Sequence, residues 1–411
     1  MSEKESRRIV VVGGGPAGVF AAIEAKRIDP AAEVTLLTDE CCEPYEKPPL
    51  SKAVLCGKVL PEDALIAGRG GAVAHKVVLE QDARCTAIDR KTREVVTASG
   101  RRYRYDALVL ATGCVVRELP QWPSGMPRVH YLRTESDARA LKASLQPGKR
   151  LVLIGGGLIG LEVAASATTL GLDITVLEVG PRILARVCDE QTCNFIADVH
   201  RRHGVQIHTG SAIENVQATE AGYAITTKDG QTFSADVVVI GTGVKPEFTL
   251  AAAAGLETND GIVVDQRCRT SDPAIFAAGD AVRFPGPHGP IRLENWRHAQ
   301  DHGAVAGRNA AGANEIYNPL PSFWSEQYDL YIQGVGWPSS QPAQRIHRPV
   351  GSNKQLVFEV ADGVLISAMG INVQRDLAAA RRLIERRIQV DATALADPNR
   401  PLAEMLKATA S

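Results

Sequence analysis

The stretch Val10–Gly18, VVVGGGPAG, has a counterpart at Leu151–Gly160, LVLIGGGLIG. Each is an apolar run that delivers three glycines at G-x-G-x-x-G spacing: Gly13, Gly15 and Gly18 in the first, Gly155, Gly157 and Gly160 in the second. In such a loop the first glycine permits a tight turn and the second lets the backbone approach a pyrophosphate. The third lets the following helix pack closely on the strand. The helix start then turns free N–H groups and the positive end of its dipole toward phosphate, so Pro16 and Ala17, and Leu158 and Ile159, join the candidates for contact. Arg8–Val12 and Leu151–Ile154 read as buried parallel strands, and Pro16–Ala25 and Leu158–Leu170 as the helices after them. Each module continues to a second strand, Glu33–Leu37 or Ile174–Leu177, closed by an acid: Asp39 (or Glu40) in the first, Glu178 in the second. One such fingerprint is weak. Two in full context imply two dinucleotides brought face to face, the geometry for passing a hydride.

Bulk properties agree with a globular α/β chain. The 411 residues suffice for two or three domains, and 45% hydrophobic with 23% charged residues is ordinary for such a protein. A net charge of −1 gives no global field to recruit nucleic acid or membrane. The opening MSEKESRRIVVVGGG has too short an apolar run for a secretory signal, and no stretch is long enough to span a bilayer. A soluble, cytoplasmic protein with no nucleic-acid or membrane partner is expected. The eight cysteines form neither a disulfide framework nor a zinc pattern, so no metal site is expected.

Between and after the modules the pattern changes. Cys85–Gly113 alternates as a small antiparallel excursion ending in the strand Ala107–Ala111, and Ile207–Phe233 does the same before Val237–Ile240. Ala274–Asp280 is a further strand ending in an acid, and a helix follows from Trp296 to about Ala311. Six of the twenty aromatics fall between Tyr317 and Trp337, marking a third unit. The glutamate at Glu178 can accept both ribose hydroxyls and would repel a 2′-phosphate, which favours NADH over NADPH, although Arg182 and Arg186 lie nearby.

Together with the two glycine loops, several motifs carry a family resemblance: Tyr45–Lys52 (YEKPPLSK), Leu108–Gly113 (LVLATG), Glu162 in the second module, Ile240–Pro246 (IGTGVKP), Ile275–Asp280 (IFAAGD) and Phe323–Leu330 (FWSEQYDL). In this order they resemble the FAD-dependent pyridine nucleotide–disulfide oxidoreductases, and specifically their NADH-dependent ferredoxin reductase branch. The resemblance implies two Rossmann-like dinucleotide-binding domains, glutathione-reductase-like in arrangement, plus a C-terminal α+β domain. Residues 1–114 and 245–320 would hold FAD, 115–244 would hold NADH, and 321–411 would form an interface domain. It implies FAD contacts at Asp39, Lys52, Cys85, Ala111, Thr112, Gly113, Arg133, Gly279, Asp280, Trp296 and Trp324. NAD contacts would include Glu178, Arg186, Gly241, Thr242 and Gly243. Lys52 would sit near flavin N5 and pair with Glu162, since an unpaired buried ammonium is costly. The helix from Trp296 would aim its N-terminus at the flavin's N1 and C2 carbonyl. Asn295 stands where the family often has serine.

Cysteine placement divides the superfamily. Its disulfide reductases carry C-x4-C beside the flavin, and peroxide-reducing relatives carry a single cysteine there. This chain has Pro48, Pro49 and Leu50 at that point, and its one C-x4-C, Cys188–Cys193, falls after Glu178 in the second module. Electrons would therefore leave the flavin directly, one at a time, to a small [2Fe–2S] ferredoxin that supplies a haem monooxygenase or a ring-hydroxylating oxygenase. A rubredoxin reductase would share every motif. A thiol or peroxide reductase and a non-catalytic signalling flavoprotein are the remaining alternatives. Between Val373 and Val390, Arg375, Arg381, Arg382, Arg386 and Arg387 outnumber Asp376 and Glu385, a candidate landing patch for an acidic ferredoxin binding transiently.

Overall fold

The computed structural model describes residues 6–337 and 343–406. The first five residues of the segment read for a targeting signal, MSEKE, lie outside them. The chain falls into two compact units. One comprises residues 1–47, 60–115 and 244–319; the other comprises 48–59, 116–243 and 320–411.

The first unit is organised by a five-stranded parallel sheet in the order Ile275–Ala277, Ala107–Leu110, Arg8–Val12, Glu33–Leu37, Val78–Glu80. The central strand is β-branched throughout its buried positions Ile9–Val12, as a strand covered on both faces requires. The helix Pro16–Ile28 follows it, three residues longer than the sequence reading, and packs along the helix Trp296–Ala310. Their approach is close because Gly303 and Gly307 face Ala17 and Ala21: a Cβ added at either glycine would come within 2.1 Å of the opposing carbonyl oxygen.

The second unit contains a parallel sheet of the same design, ordered Gln206–Thr209, Asp173–Glu178, Arg150–Ile154, Val237–Ile240, Val129–His130. In both sheets the strand bearing the glycine loop lies between its successor and the return strand, where strand order reverses and ligands bind in such folds. The repetition reaches the base of each sheet. Arg8 clasps Asp106, with backbone N–H and guanidinium both on the carboxylate, and Arg150 clasps Asp236 in the same way. The Arg150 hydrogen bonds hold the Asp236 carboxyl down at about 2.

A five-stranded antiparallel sheet, ordered Ser322–Gln327, Leu330–Gly336, Val364–Ile371, Gln355–Ala361, Gln344–His347, completes the second unit with the helix Gln374–Glu385 against it. Its strand residues Leu330, Ile332 and Ile371 share a core with Leu161, Ile183, Cys193 and Ile196. That shared core explains why 320–411 groups with 116–243 in place of standing as a third compact unit. Residues 48–59 also belong here and not with residues 1–47, because Leu55 is buried among Leu141, Leu151, Leu153 and Val163. Among the described residues no helix is long and apolar enough to cross a membrane.

Candidate functional site

Two loop geometries are superimposable in their hydrogen bonding. Gly13 N–H donates to the Leu37 carbonyl and Gly155 N–H to that of Leu177, each at 2.8 Å. The return strands close against them equally: Ala111 N–H reaches Val12 O and Gly241 N–H reaches Ile154 O, again 2.8 Å. Gly13 and Gly155 have φ of +115° and +103°, and a Cβ there would strike the Ala111 or Gly241 carbonyl. Gly18 and Gly160 abut the Gly13 and Gly155 carbonyls, which is the close helix approach the third glycine allows. At Gly15 and Gly157 a Cβ would meet nothing within 4 Å. Each of these two glycines caps its helix without any side-chain hydrogen bond. Open space beside uncapped N–H donors is what a bound pyrophosphate needs, so both loops fit a dinucleotide.

Around the first loop lie the other residues expected to hold FAD. Gly279, at φ +81°, sits against Ala17, and its N–H donates to His302 Nδ1 at 3.3 Å. His302 and His298 form a buried ring cluster with Phe284 and Tyr317, and burial holds both imidazoles neutral, His298 at about 3. Sequence reasoning gave these histidines no role, although they fall one helical turn apart after Trp296. Asp280 follows Gly279, and its carbonyl accepts from Arg292 at 3.2 Å. Thr112 hydroxyl donates to the Glu247 carbonyl, and the Glu247 N–H to Gly113 O, tying the LVLATG turn in place.

The structure separates the two acids at the end of the second strand. Glu40 accepts the Tyr45 hydroxyl at 2.6 Å and Lys47 Nζ at 2.9 Å, whereas Asp39 is exposed. Asp39 lies near Cys85, whose thiol is pushed up to about 12 by burial and by that carboxylate. The Trp296 indole N–H donates to Glu46, whose carboxyl burial raises, and Phe20 meets the ring edge-on. Asn295 caps the helix, accepting from His298 N–H at 2.8 Å, so it does the work a serine would do there.

In the second loop Glu178 has a function the sequence reading missed. Its two carboxylate oxygens accept Gly156 N–H at 2.7 Å and Gly180 N–H at 2.6 Å, clamping the glycine loop to the segment after the strand. Arg186 is exposed and reaches toward Gly243, and Thr242 bonds the Arg117 carbonyl at 3.1 Å. The Cys188 hydrogen bond, and after it Arg182, lower the Cys193 thiol against burial. Both of those cysteines are buried within the second module.

Lys52 and Glu162 meet as the motifs implied. Lys52 Nζ lies 2.9 Å from Glu162 Oε2, with the carboxylate almost wholly buried. The 3-10 turn Pro48–Ser51 and the helix Leu158–Thr169 present them. Two hydroxyls not singled out from sequence complete the carboxylate's shell: Ser51, on Oε2, and Ser325, 2.6 Å from Oε1. The available signal was their place inside PPLSK and FWSEQYDL. Arg133 and Trp324, like Lys52, belong to the second unit. The Arg133 N–H donates to Asp137 in the capping box of the helix Glu135–Ser144, and Trp324 is half-buried opposite Gln333.

Two dinucleotide cradles and a buried Lys–Glu pair, with prolines where a thiol pair would stand, define an FAD-dependent pyridine nucleotide oxidoreductase. Residues 7–303 match the family model for pyridine nucleotide-disulphide oxidoreductases and residues 322–406 that for the reductase C-terminal domain, and the chain belongs to this family. It is 36% identical over 394 residues to the ferredoxin–NAD(+) reductase component of an anthranilate 1,2-dioxygenase system from Burkholderia cepacia, covering 95% of this chain and 97% of that protein. Rhodocoxin reductase from Rhodococcus erythropolis is 35% identical over 92% of this chain and 89% of its own length. The structure of putidaredoxin reductase in covalent complex with putidaredoxin aligns with a TM-score of 0.93 at 32% identity, covering 98% and 99% of the two chains.

Proposed function

We propose that this protein is an NADH-dependent ferredoxin reductase that supplies electrons, through a small acidic [2Fe–2S] ferredoxin, to a haem or Rieske-type oxygenase. The observation that carries the reading is the Lys52–Glu162 pair beside the Pro48–Ser51 turn, a charged pair where a thiol relay would be needed for disulfide or peroxide reduction. The expected division of labour keeps FAD on residues 1–114 and 245–320, NADH on 115–244, and the partner on 321–411.

The chain's own groups do four things. The Gly15 and Gly157 loops offer N–H donors to the two pyrophosphates. Asp39 and Glu178 receive ribose hydroxyls, Glu178 while clamping its own loop. Glu162 holds Lys52 as a cation at a fixed point. The helix Trp296–Ala310 would offer its positive end to negative charge on a reduced flavin. The bound flavin supplies the conversion between two-electron and one-electron chemistry, and no side chain acts as nucleophile. Eight cysteines without a disulfide framework suit the reducing cytoplasm.

The test is NADH-driven reduction of cytochrome c through a panel of ferredoxins and rubredoxins. Strong dependence on one [2Fe–2S] ferredoxin is expected. Equal turnover without any of them, or activity abolished by thiol alkylation, defeats the reading.

A further inference from the structure

A line of buried hydrogen bonds leads away from Glu162. Beyond Ser325, Gln327 Nε2 lies 3.2 Å from Ser325 Oγ, His200 Nε2 lies 2.9 Å from Gln327 Oε1, and the Tyr328 hydroxyl lies 3.2 Å from His200 Nδ1. Ser325, Gln327 and His200 are at most 1% exposed. Ser325 and Gln327 share one face of the strand Ser322–Gln327, two residues apart, and His200 comes from the helix Glu190–Arg202. Tyr328 sits at φ +55°, in the left-handed region that an aromatic residue adopts only when its surroundings hold it there. Its ring is stacked on His203 with centroids 3.8 Å apart, and its hydroxyl also meets Thr168 at 3.3 Å.

The carboxylate dictates the direction of every bond. An ionised Glu162 only accepts, so Ser325 must spend its single proton on Oε1. Ser325 Oγ must then accept from the Gln327 amide nitrogen, which turns the Gln327 carbonyl toward His200. His200 therefore carries its proton on Nε2, and its bare Nδ1 accepts from Tyr328. A second proton on His200 would reverse the last bond, making the Tyr328 oxygen the acceptor, and burial pushes this imidazole down to about 4. At Glu162, Oε2 takes both Ser51 and Lys52, while Oε1 is held, among the described residues, by Ser325.

We propose that His200 is a positioning residue for the Lys52–Glu162 pair: through Gln327 and Ser325 it forms a one-way donor chain that fixes the Glu162 carboxylate, and so fixes where Lys52 presents its ammonium. The inference rests on the reading that this pair serves electron entry from NADH. The chain does not carry a proton, because a neutral amide stands in its middle. It supplies fixed dipoles, aligned before the reaction, to a buried anion.

The experiment compares His200→Phe, Gln327→Met, His200→Gln and Lys52→Met in the flavin-loaded protein. Three quantities are read: the stopped-flow rate of flavin bleaching by NADH, the apparent NADH affinity in the same experiment, and the absorption spectrum of the bound flavin. His200→Phe and Gln327→Met each slow bleaching about tenfold, the upper end of the effect of one lost neutral hydrogen bond, with NADH affinity unchanged and the flavin spectrum shifted. His200→Gln, which keeps an N–H toward Gln327, stays within about twofold of wild type. In the unsubstituted protein, nitrogen-15 spectra at neutral pH show His200 protonated at Nε2 alone. Wild-type rates in both His200→Phe and Gln327→Met while Lys52→Met is slow overturn the donor chain and leave the pair's role standing. So does a His200→Gln variant as slow as His200→Phe, which would reduce the histidine to packing, or a proton on Nδ1. Wild-type bleaching in Lys52→Met overturns both. Should His200→Phe lose its flavin, Gln327→Met, which leaves the helix untouched, decides.

Discussion

The Ser325 hydroxyl meets Glu162 Oε1 at 2.6 Å across 163 residues of chain. With Ser51 and Lys52 on the other oxygen, three donors converge on one buried carboxylate. Removing the cation is therefore more damaging than neutralising the anion. Lys52→Met leaves Glu162 charged and buried, at a cost of about 3 kcal/mol in stability, whereas Glu162→Gln costs less because no buried charge is stranded there and the amide oxygen still accepts from one of the two hydroxyls. Denaturant unfolding of the two variants measures the difference, and both should bleach more slowly with NADH.

The open space at Gly15 and Gly157 separates folding from ligand binding. A Val at either position meets no protein atom at its Cβ, so thermal stability of the apoprotein stays near wild type. Gly157→Val raises KM for NADH at least about tenfold, equivalent to 1.4 kcal/mol of binding, with flavin content intact. Gly15→Val is purified with depleted flavin. Full flavin in Gly15→Val would mean the first loop does not hold the pyrophosphate.

Glu178 closes the second strand beside the glycine loop, with Arg186 the exposed cation nearby, so the carboxylate is the charge expected to repel a 2′-phosphate. The ratio of kcat/KM for NADPH over NADH should be well below one. Glu178→Gln removes the repulsion and raises that ratio about tenfold, while also loosening the loop that the carboxylate clamps. A ratio that does not move would assign the discrimination to another residue.

Three buried histidines make the fold acid-sensitive. Burial depresses His200 to about 4 and His298 to about 3, and holds His302 well below its ordinary value of 6.5. Between the folded and ordinary values the unfolded chain binds more protons, so stability is complete above pH 6.5 and is lost as pH falls toward 4. His200 alone accounts for about 3 kcal/mol of this. Tm should fall between pH 7.5 and 4.5, and His200→Gln should flatten the slope.

On the helix Gln374–Glu385 and its exit, Arg381 is neutralised by Glu385 at 2.9 Å, while Arg375, Arg382, Arg386 and Arg387 are exposed. Reversing Arg382 and Arg386 to Glu should lower kcat/KM for ferredoxin and weaken its dependence on salt, with ferricyanide reduction by NADH unchanged. If ferredoxin turnover and its salt dependence are unaffected, the patch is a solvated helix face.

Local order was legible in the sequence because it is set by short-range physics. The apolar runs at Arg8 and Leu151, the glycines behind them and the acids after the next strand dictated both cradles within about thirty residues each. The Arg–Asp clasps were not read there: RIVVVGGG and YDALVLATG, like RLVLIGGG and ADVVVIGTG, repeat the same residues, but each clasp joins segments 98 or 86 residues apart. The folded loop decided which acid stays available at Asp39 and Glu40, because it brings Tyr45 and Lys47, five and seven residues on, back to Glu40. It also decided that residues 48–59 join the second unit, since the burial of Leu55 depends on a core assembled a hundred residues on. Ser51 and Ser325 lie inside PPLSK and FWSEQYDL, but nothing in either motif assigns them to Glu162, and no local pattern marks His200. Their roles exist only where a buried carboxylate, unable to reach water, collects donors from two distant segments, with His200 reaching one of them through Gln327.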